Sequence, residues 1–337
     1  MAKDAPAQPP RTITSADVAR LAGVSRATVS FVLNDTQAHR VSESTRARVL
    51  AAADQLGYVP HAAARSLRAG RSNLVLMPSS VSAIGRLVSD WVDDLHSELD
   101  RRGYTVVLHA GRFPDAVTAA RAWAELRPAA VFALSGDSFT PEAADLLQRA
   151  GIRGLLAFAA RPLAGAHTVA FDHADIGAAA VDHLVARGRR NIAVLMPQER
   201  GLSAFAEPRL AGAQGVAATR MATVTAVEVA YTQDSAAQLA ERWRELGFDA
   251  VFAYNDEYAA LLMHAFQDVG IGVPDDVAVV GADDLVLASL QRPPLTSIRL
   301  NLPGPGVIAE TLQQLIEHGT AEPVDPVDVT LIHRASS

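Results

Sequence analysis

The feature that most limits what this chain can become is an alternation that begins at Leu74. From there, short β-rich apolar runs are each followed by a helical stretch. Strands are expected at 74–77, 105–109, 130–134, 154–158, 192–195, 225–229, 250–253 and 277–280. Strands separated by helical patterns make βαβ units, and such units build parallel sheets. The intervening helices are amphipathic: Ile84, Leu87, Val88, Trp91, Leu95 and Leu99 fall on one stripe, closed by Gly103. Two sets of such units predict two doubly wound subdomains with a cleft between them, and ligands of open α/β sheets bind at the carboxyl ends of the strands.

The 337 residues, 49% of them hydrophobic, suffice for two or three domains with a sizeable core. No apolar run approaches the roughly 20 residues of a transmembrane helix. The start of the chain lacks the apolar stretch of a signal peptide, so a soluble, cytoplasmic protein without a membrane partner is expected. The absence of cysteine excludes disulfides, zinc–thiolate sites and cysteine nucleophiles. Every basic residue except Lys3 is arginine, which leaves no lysine for a phosphate-binding P-loop or a Schiff base outside the first residues. No GxGxxG follows a strand, and neither GxSxG nor HExxH occurs. No catalytic residue, cofactor or metal is therefore expected. Asp172, His173 and Asp175, with His183, have weak metal-ligand spacing and read as a solvated loop. Ser135-Gly136-Asp137-Ser138 either binds an anion through its backbone N–H groups or is a plain turn.

The net charge of −7 argues against a nucleic-acid partner until it is divided along the chain. Residues 1–72 carry ten basic side chains against five acidic ones, a net +5, which leaves the remainder at −12. A basic head on an acidic body can be drawn to a polyanion while the body stays in solution. Within that head, residues 1–12 read as a disordered tail, and structure begins at Ile13. Thr14 and Asp17 fit a capping box, with Ile13 and Val18 as its hydrophobic staple. The helix stops at Gly23, and Ser25 caps a second one, 26–33, whose Val29, Val32 and Leu33 face back onto the first. Two short helices joined by a glycine-containing turn make a helix-turn-helix unit. Its second helix would enter the major groove with its N-terminal end toward the bases. Arg26, Ala27 and Phe31 are the expected base readers: Arg26 can grip guanine, and the other two can meet thymine methyls. Thr28 and Ser30 are expected to donate to phosphates. A third helix from Ser42, with Val49, Ala52, Ala53 and Leu56 inward, completes the core, and its Arg46 and Arg48 are plausible backbone contacts.

These residues resemble a known family. Asp17-Val18-Ala19, Ala22-Gly23-Val24-Ser25, Thr28-Val29-Ser30, Val32-Leu33-Asn34, Val41-Ser42, Thr45-Arg46 and Leu56-Gly57-Tyr58-Val59-Pro60 look like the head of the lactose-repressor (LacI/GalR) family of bacterial transcription regulators. The resemblance continues, at lower density, through Phe171-Asp172-His173, Arg209-Leu210-Ala211-Gly212, Asn255-Asp256, Gly281-Ala282-Asp283-Asp284 and Pro294-Leu295-Thr296-Ser297-Ile298. It implies a periplasmic-binding-protein-like body behind an all-α helix-turn-helix head. It also implies a hinge helix after Pro60 that brings Ala64, Arg65 and Leu67 to the minor groove, with Leu67 as the apolar wedge. His61 departs from the family's usual Asn or Ser at the cap of that helix.

The organisation implied is a tail (1–12), a head (13–60), a hinge (61–72) and a core (73–337). The core would divide into subdomains at about 73–168 with 299–324 and about 169–298 with 325–334. Thr14, Ser25, Asn34 and Arg46 join Thr28 and Ser30 as implied DNA-backbone contacts. In the cleft, Arg209, Asn255 and Asp283, with Ser79, Ser80 and Phe158, are the implied ligands of a small effector, a sugar or nucleoside. Their chemistry suits one: a carboxylate accepts from vicinal hydroxyls, Asn offers both donor and acceptor, and Arg supplies a planar fork. The implied function is a repressor, homodimeric or a dimer of dimers, on a near-palindromic operator. Two other readings are open at this stage: a sugar-binding module or enzyme with an accessory basic head, and a nonspecific architectural DNA-binding protein.

Overall fold

A computed structural model describes residues 13–33, 41–59, 72–78, 85–199 and 201–337. Of the expected functional residues, Asn34, Ala64, Arg65, Leu67, Ser79 and Ser80 lie outside the described residues, as does His61. The chain forms two compact units, residues 1–72 and 73–337.

The smaller unit consists of α1 (Ser15–Ala22), α2 (Arg26–Leu33) and α3 (Glu43–Leu56). The Asp17 carboxylate accepts from the backbone N–H of Thr14 at 3.0 Å and from its hydroxyl at 2.7 Å, so the expected start of α1 is held from both directions. Gly23 takes φ 66°, which lets the chain turn directly into α2, where Ser25 Oγ accepts from Thr28 N–H at 3.1 Å. Val18, Val29 and Val49, one from each helix, are fully buried and close the core with Ala19, Ala22, Val32, Ala52 and Ala53. Each buried valine contributes roughly 1.5–3 kcal/mol, and the three belong to different helices.

The larger unit holds two sheets. The first contains β1 (Leu74–Pro78), β2 (Thr105–His109), β3 (Ala130–Ala133), β4 (Gly154–Ala159) and β5 (His167–Ala170) in the order β2-β1-β3-β4-β5, all parallel. Between them run α4 (Arg86–Asp100), α5 (Ala116–Glu125) and α6 (Pro141–Arg149). The second contains β6 (Asn191–Pro197), β7 (Thr223–Val229), β8 (Ala250–Phe252), β9 (Ala278–Ala282), β10 (Thr296–Asn301) and β11 (Asp328–Ile332), in the order β11-β10-β9-β8-β6-β7. It carries α7 (Ala174–Ala186), α8 (Ser203–Arg220), α9 (Gln233–Leu246), α10 (Asp256–Asp268) and the short α11 (Val286–Leu290). The expected all-parallel pattern is broken at one edge, where β11 runs antiparallel to β10. The chain passes between the halves after Ala170, after Asn301 and again before Asp328. In the second passage it makes α12 (Pro305–His318), which packs on α4, β3 and β4 of the first half. Trp91 Nε1 donates to the Pro303 carbonyl at 2.9 Å, pinning that returning segment to α4.

Helices α7 and α8 cross at two glycines. A Cβ at Gly177 would lie 1.8 Å from the Arg209 carbonyl oxygen, and one at Gly212 would lie 1.9 Å from that of Ala174. Only glycine permits backbones this close, and the contact fixes where Arg209 leaves its helix. Among the described residues, no helix is long and apolar enough to cross a membrane.

Candidate functional site

A cleft of about 280 Å³ opens between the two sheets of the larger unit. Many of its wall residues lie at the carboxyl ends of strands, where open α/β sheets place their ligands. Leu134 follows β3, Phe158 ends β4, Phe171 follows β5, Glu199 follows β6, Tyr231 follows β7, Tyr254 and Asn255 follow β8, and Asp283 follows β9. The rest reach in chiefly from helices: Leu87, Val88 and Trp91 from α4, Phe205 and Arg209 from α8, and Glu257 and Tyr258 from α10. The described wall from the first half, Leu87, Val88, Trp91, Leu134 and Phe158, is apolar, whereas the polar groups all come from the second.

Arg209 is only 5% exposed. One terminal nitrogen donates to the Tyr254 carbonyl, and the guanidinium lies over the Tyr254 ring with Cζ 4.6 Å from its centroid. Its Nε is buried without a protein partner. Asn255 Oδ1 accepts from the N–H groups of Glu257 and Tyr258, both at 3.1 Å, and so caps α10 while its amide hydrogen-bonds Asp283. Asp283 occupies φ 92° and Asp284 φ 49°, unusual conformations for non-glycine residues. The turn is held by Asp283 N–H on the Ile298 carbonyl at 2.8 Å and Asp284 N–H on Ser297 Oγ at 3.0 Å. Asp284 also pairs with Arg299 at 2.6 Å and with Arg334. Burial pushes the Asp283 carboxyl above the usual range, with Arg209 and Asn255 pulling it back and Glu257 reinforcing the rise.

His173 corrects the expectation of a solvated loop at 172–175. Its ring packs 4.3 Å from Phe171 and 5.1 Å from Phe205, lines the cleft, and has a buried Nδ1 without a protein partner. Burial and then the Arg209 charge hold it well below its ordinary pKa, so it is a neutral hydrogen-bonding group rather than a cation. His183 lies elsewhere, against Ser337 Oγ at 2.8 Å, and no group of His, Asp and Glu among the described residues could hold a metal ion. Ser135 to Ser138 form a 3-10 turn in which Ser135 Oγ accepts from Asp137 N–H at 3.4 Å.

The cleft thus brings together Arg209, Asn255, Asp283 and Phe158 of the residues expected there. The sequence reading did not single out Glu199, Glu257, Tyr231, Tyr254 or Tyr258. The signal for three of them was positional, since Glu199, Tyr231 and Tyr254 stand in the turns after β6, β7 and β8; Glu257 and Tyr258 lie in the first turn of α10. In the smaller unit Arg26 and Ala27 are exposed at the start of α2. Phe31 was expected to be exposed and is instead half-buried. The hydroxyls of Ser25 and Thr28 lie 2.9 Å apart and bond each other, Ser30 and Arg46 are half-buried, and Thr14 is exposed.

Residues 14–61 match the bacterial regulatory proteins, lacI family, and residues 181–337 match the periplasmic binding protein-like domain. The HTH-type transcriptional repressor PurR of Vibrio parahaemolyticus serotype O3:K6 is 32% identical over 293 residues, 85% of this chain and 86% of the relative. The lac repressor dimer bound to operator and the anti-inducer ONPF shares 27% identity at a TM-score of 0.75, covering 97% of this chain and 99% of that one. A transcriptional regulator CelR–cellobiose complex shares 28% identity at a TM-score of 0.61, covering 96% and 100%.

Proposed function

The chain belongs to the lacI family of bacterial regulatory proteins and is a DNA-binding transcriptional regulator, and from this premise we propose that it represses transcription under the control of a small effector held in the cleft. The observation that carries the reading is the pairing, on one chain, of a helix-turn-helix unit exposing Arg26 and Ala27 with a cleft in which Arg209 Nε and His173 Nδ1 are buried without a protein partner.

In this reading the head spans 13–60, the hinge 61–72 and the effector-binding core 73–337. Two copies engage a near-palindromic operator as a homodimer, or as a dimer of dimers, in the bacterial cytoplasm. Arg26, Ala27 and Phe31 read bases. Thr14, Ser25, Thr28, Ser30, Asn34 and Arg46 hold phosphates, and Leu67, with Ala64 and Arg65 before it, wedges the minor groove. The effector is a sugar-like or nucleoside-like molecule that accepts from Arg209 and donates to Asp283 and Asn255, beside Phe158, Ser79 and Ser80. The cleft binds it without turnover. An effector acts only through its unequal affinity for the DNA-competent and DNA-incompetent geometries of the two halves. The test is selection of binding sites from random DNA by the purified chain at stated salt. A short palindrome with a flexible central pyrimidine–purine step is the expected result. Absence of any enriched sequence, with and without candidate effectors, would overturn the reading.

A further inference from the structure

The charge of the cleft is unbalanced. Glu199 and Glu257 both line it, and neither has an arginine, lysine or histidine partner among the described residues. Glu199 is held by neutral donors: Tyr231 N–H reaches one carboxylate oxygen at 2.6 Å and the Tyr258 hydroxyl donates to the other. Burial works to raise this carboxyl, but those hydrogen bonds outweigh it and keep it below the usual carboxylate range, hence ionised at neutral pH. Glu257 receives only the Asn255 amide at 3.3 Å, and the N-terminal end of α4 approaches it at Gly85, whose Cβ would lie 3.9 Å away. The rings of Tyr231 and Tyr258, their centroids 5.1 Å apart, line the same cleft as these carboxylates. Arg209, the one cation among the described wall residues, is committed to the Tyr254 carbonyl and ring and faces Asp283.

A neutral ligand filling this cleft would strip water from two carboxylates and return no countercharge, and desolvating an unpaired charge is costly. A protonated amine supplies the charge, hydrogen-bonds both carboxylates and meets the electron-rich faces of the tyrosines. We propose that the natural effector carries a protonated amine that seats between Glu199 and Glu257 against Tyr231 and Tyr258, and a hydrogen-bond acceptor that reaches the unpartnered Nε of Arg209. The inference rests on the reading of this cleft as the effector site and adds the charge of its occupant.

The test uses twins that differ only in exchanging an ammonium for a hydroxyl: glucosamine against glucose, and tyramine against 4-(2-hydroxyethyl)phenol. Binding to the full chain is measured by calorimetry at mildly acidic pH, with affinity for a selected DNA site followed in parallel. In at least one pair the amine should bind about tenfold or more tightly, a clear free-energy preference. Glu257→Gln, with its melting temperature checked, should bring that ratio close to one, and Glu199→Gln should reduce it. The proposal is overturned if the hydroxyl twins bind as well as the amines, if the ratio survives both variants, or if neither amine binds at millimolar concentration. Should neutral twins bind and alter DNA affinity, the charge inference alone falls. Should no probe bind while the DNA site is held, the regulator reading is untouched.

Discussion

Arg209 shows how much a single side chain inherits from its surroundings. Its backbone is pressed against Gly177, its guanidinium is fixed on Tyr254, and its Nε is left for whatever enters the cleft. Asp283, opposite, is aimed by a strained turn that Asp284 anchors through Arg299 and Arg334. Asp283→Ala should therefore abolish the response of operator affinity to effector while leaving effector-free operator binding nearly intact, as read by titrating labelled operator with and without ligand. Arg26→Ala acts on the other partner. Losing a bidentate contact to guanine should cost roughly 1–3 kcal/mol on the cognate site and relax specificity at one base pair; an unchanged base preference would remove Arg26 from the readout. Among the residues, Arg209 and Asn255 were legible because they stand in recognisable runs. His173 was not: its run of acids reads as exposed, and only the packing of Phe171 and Phe205 around it makes it a buried, neutral group.

At the scale of elements, helix starts were the most legible feature, since a capping residue and the polar side chain it engages sit within one turn of sequence. Four of the five first-half strands and four of the six in the second half fall on the expected β-rich runs, whereas β5, β10 and β11 escaped the sequence reading. Each had a physical reason. β5 is four residues with polar His167 and Thr168; β10 buries Thr296 and Ser297, polar groups satisfied by Ser336, Ser337 and Asp256; β11 is an edge strand with exposed alternate positions. The α7–α8 crossing makes a sharper prediction. Gly177→Ala should lower stability by at least the roughly 1–3 kcal/mol typical of overpacking, because its methyl would meet backbone. Gly215→Ala, on the same α8 with nothing within 4 Å of its Cβ, should be neutral or stabilising by about 0.5–1 kcal/mol. Thermal unfolding of the two variants side by side separates contact from helix propensity.

For the whole molecule, one buried acid couples stability to pH. Asp256 has no exposed surface, accepts from Ser297 Oγ at 2.6 Å and Leu285 N–H at 2.7 Å, and burial raises its pKa to about 7. An acid raised on folding binds its proton more tightly in the native state. Its contribution is therefore fully present below the unfolded value near 4 and is lost as pH rises toward 7, by an amount on the order of 4 kcal/mol. Asp256→Asn should remove that slope: the gap in unfolding midpoint between wild type and variant should shift steadily from pH 4 to 7 and then level off. A constant gap would show that Asp256 does not titrate in that range.

The return of α12 to the first sheet also sets an order of events at the ribosome. The last strand of that sheet ends at Ala170, yet the helix that covers Leu156 and its neighbours begins at Pro305, about 135 residues later. At roughly 5–20 residues per second of synthesis, the first half must wait something like 7–27 s with one face covered by α4 alone. During that interval the nascent chain is a substrate for chaperones, and the half synthesised first is completed only after most of the second has emerged, with the edge strand β11 following last.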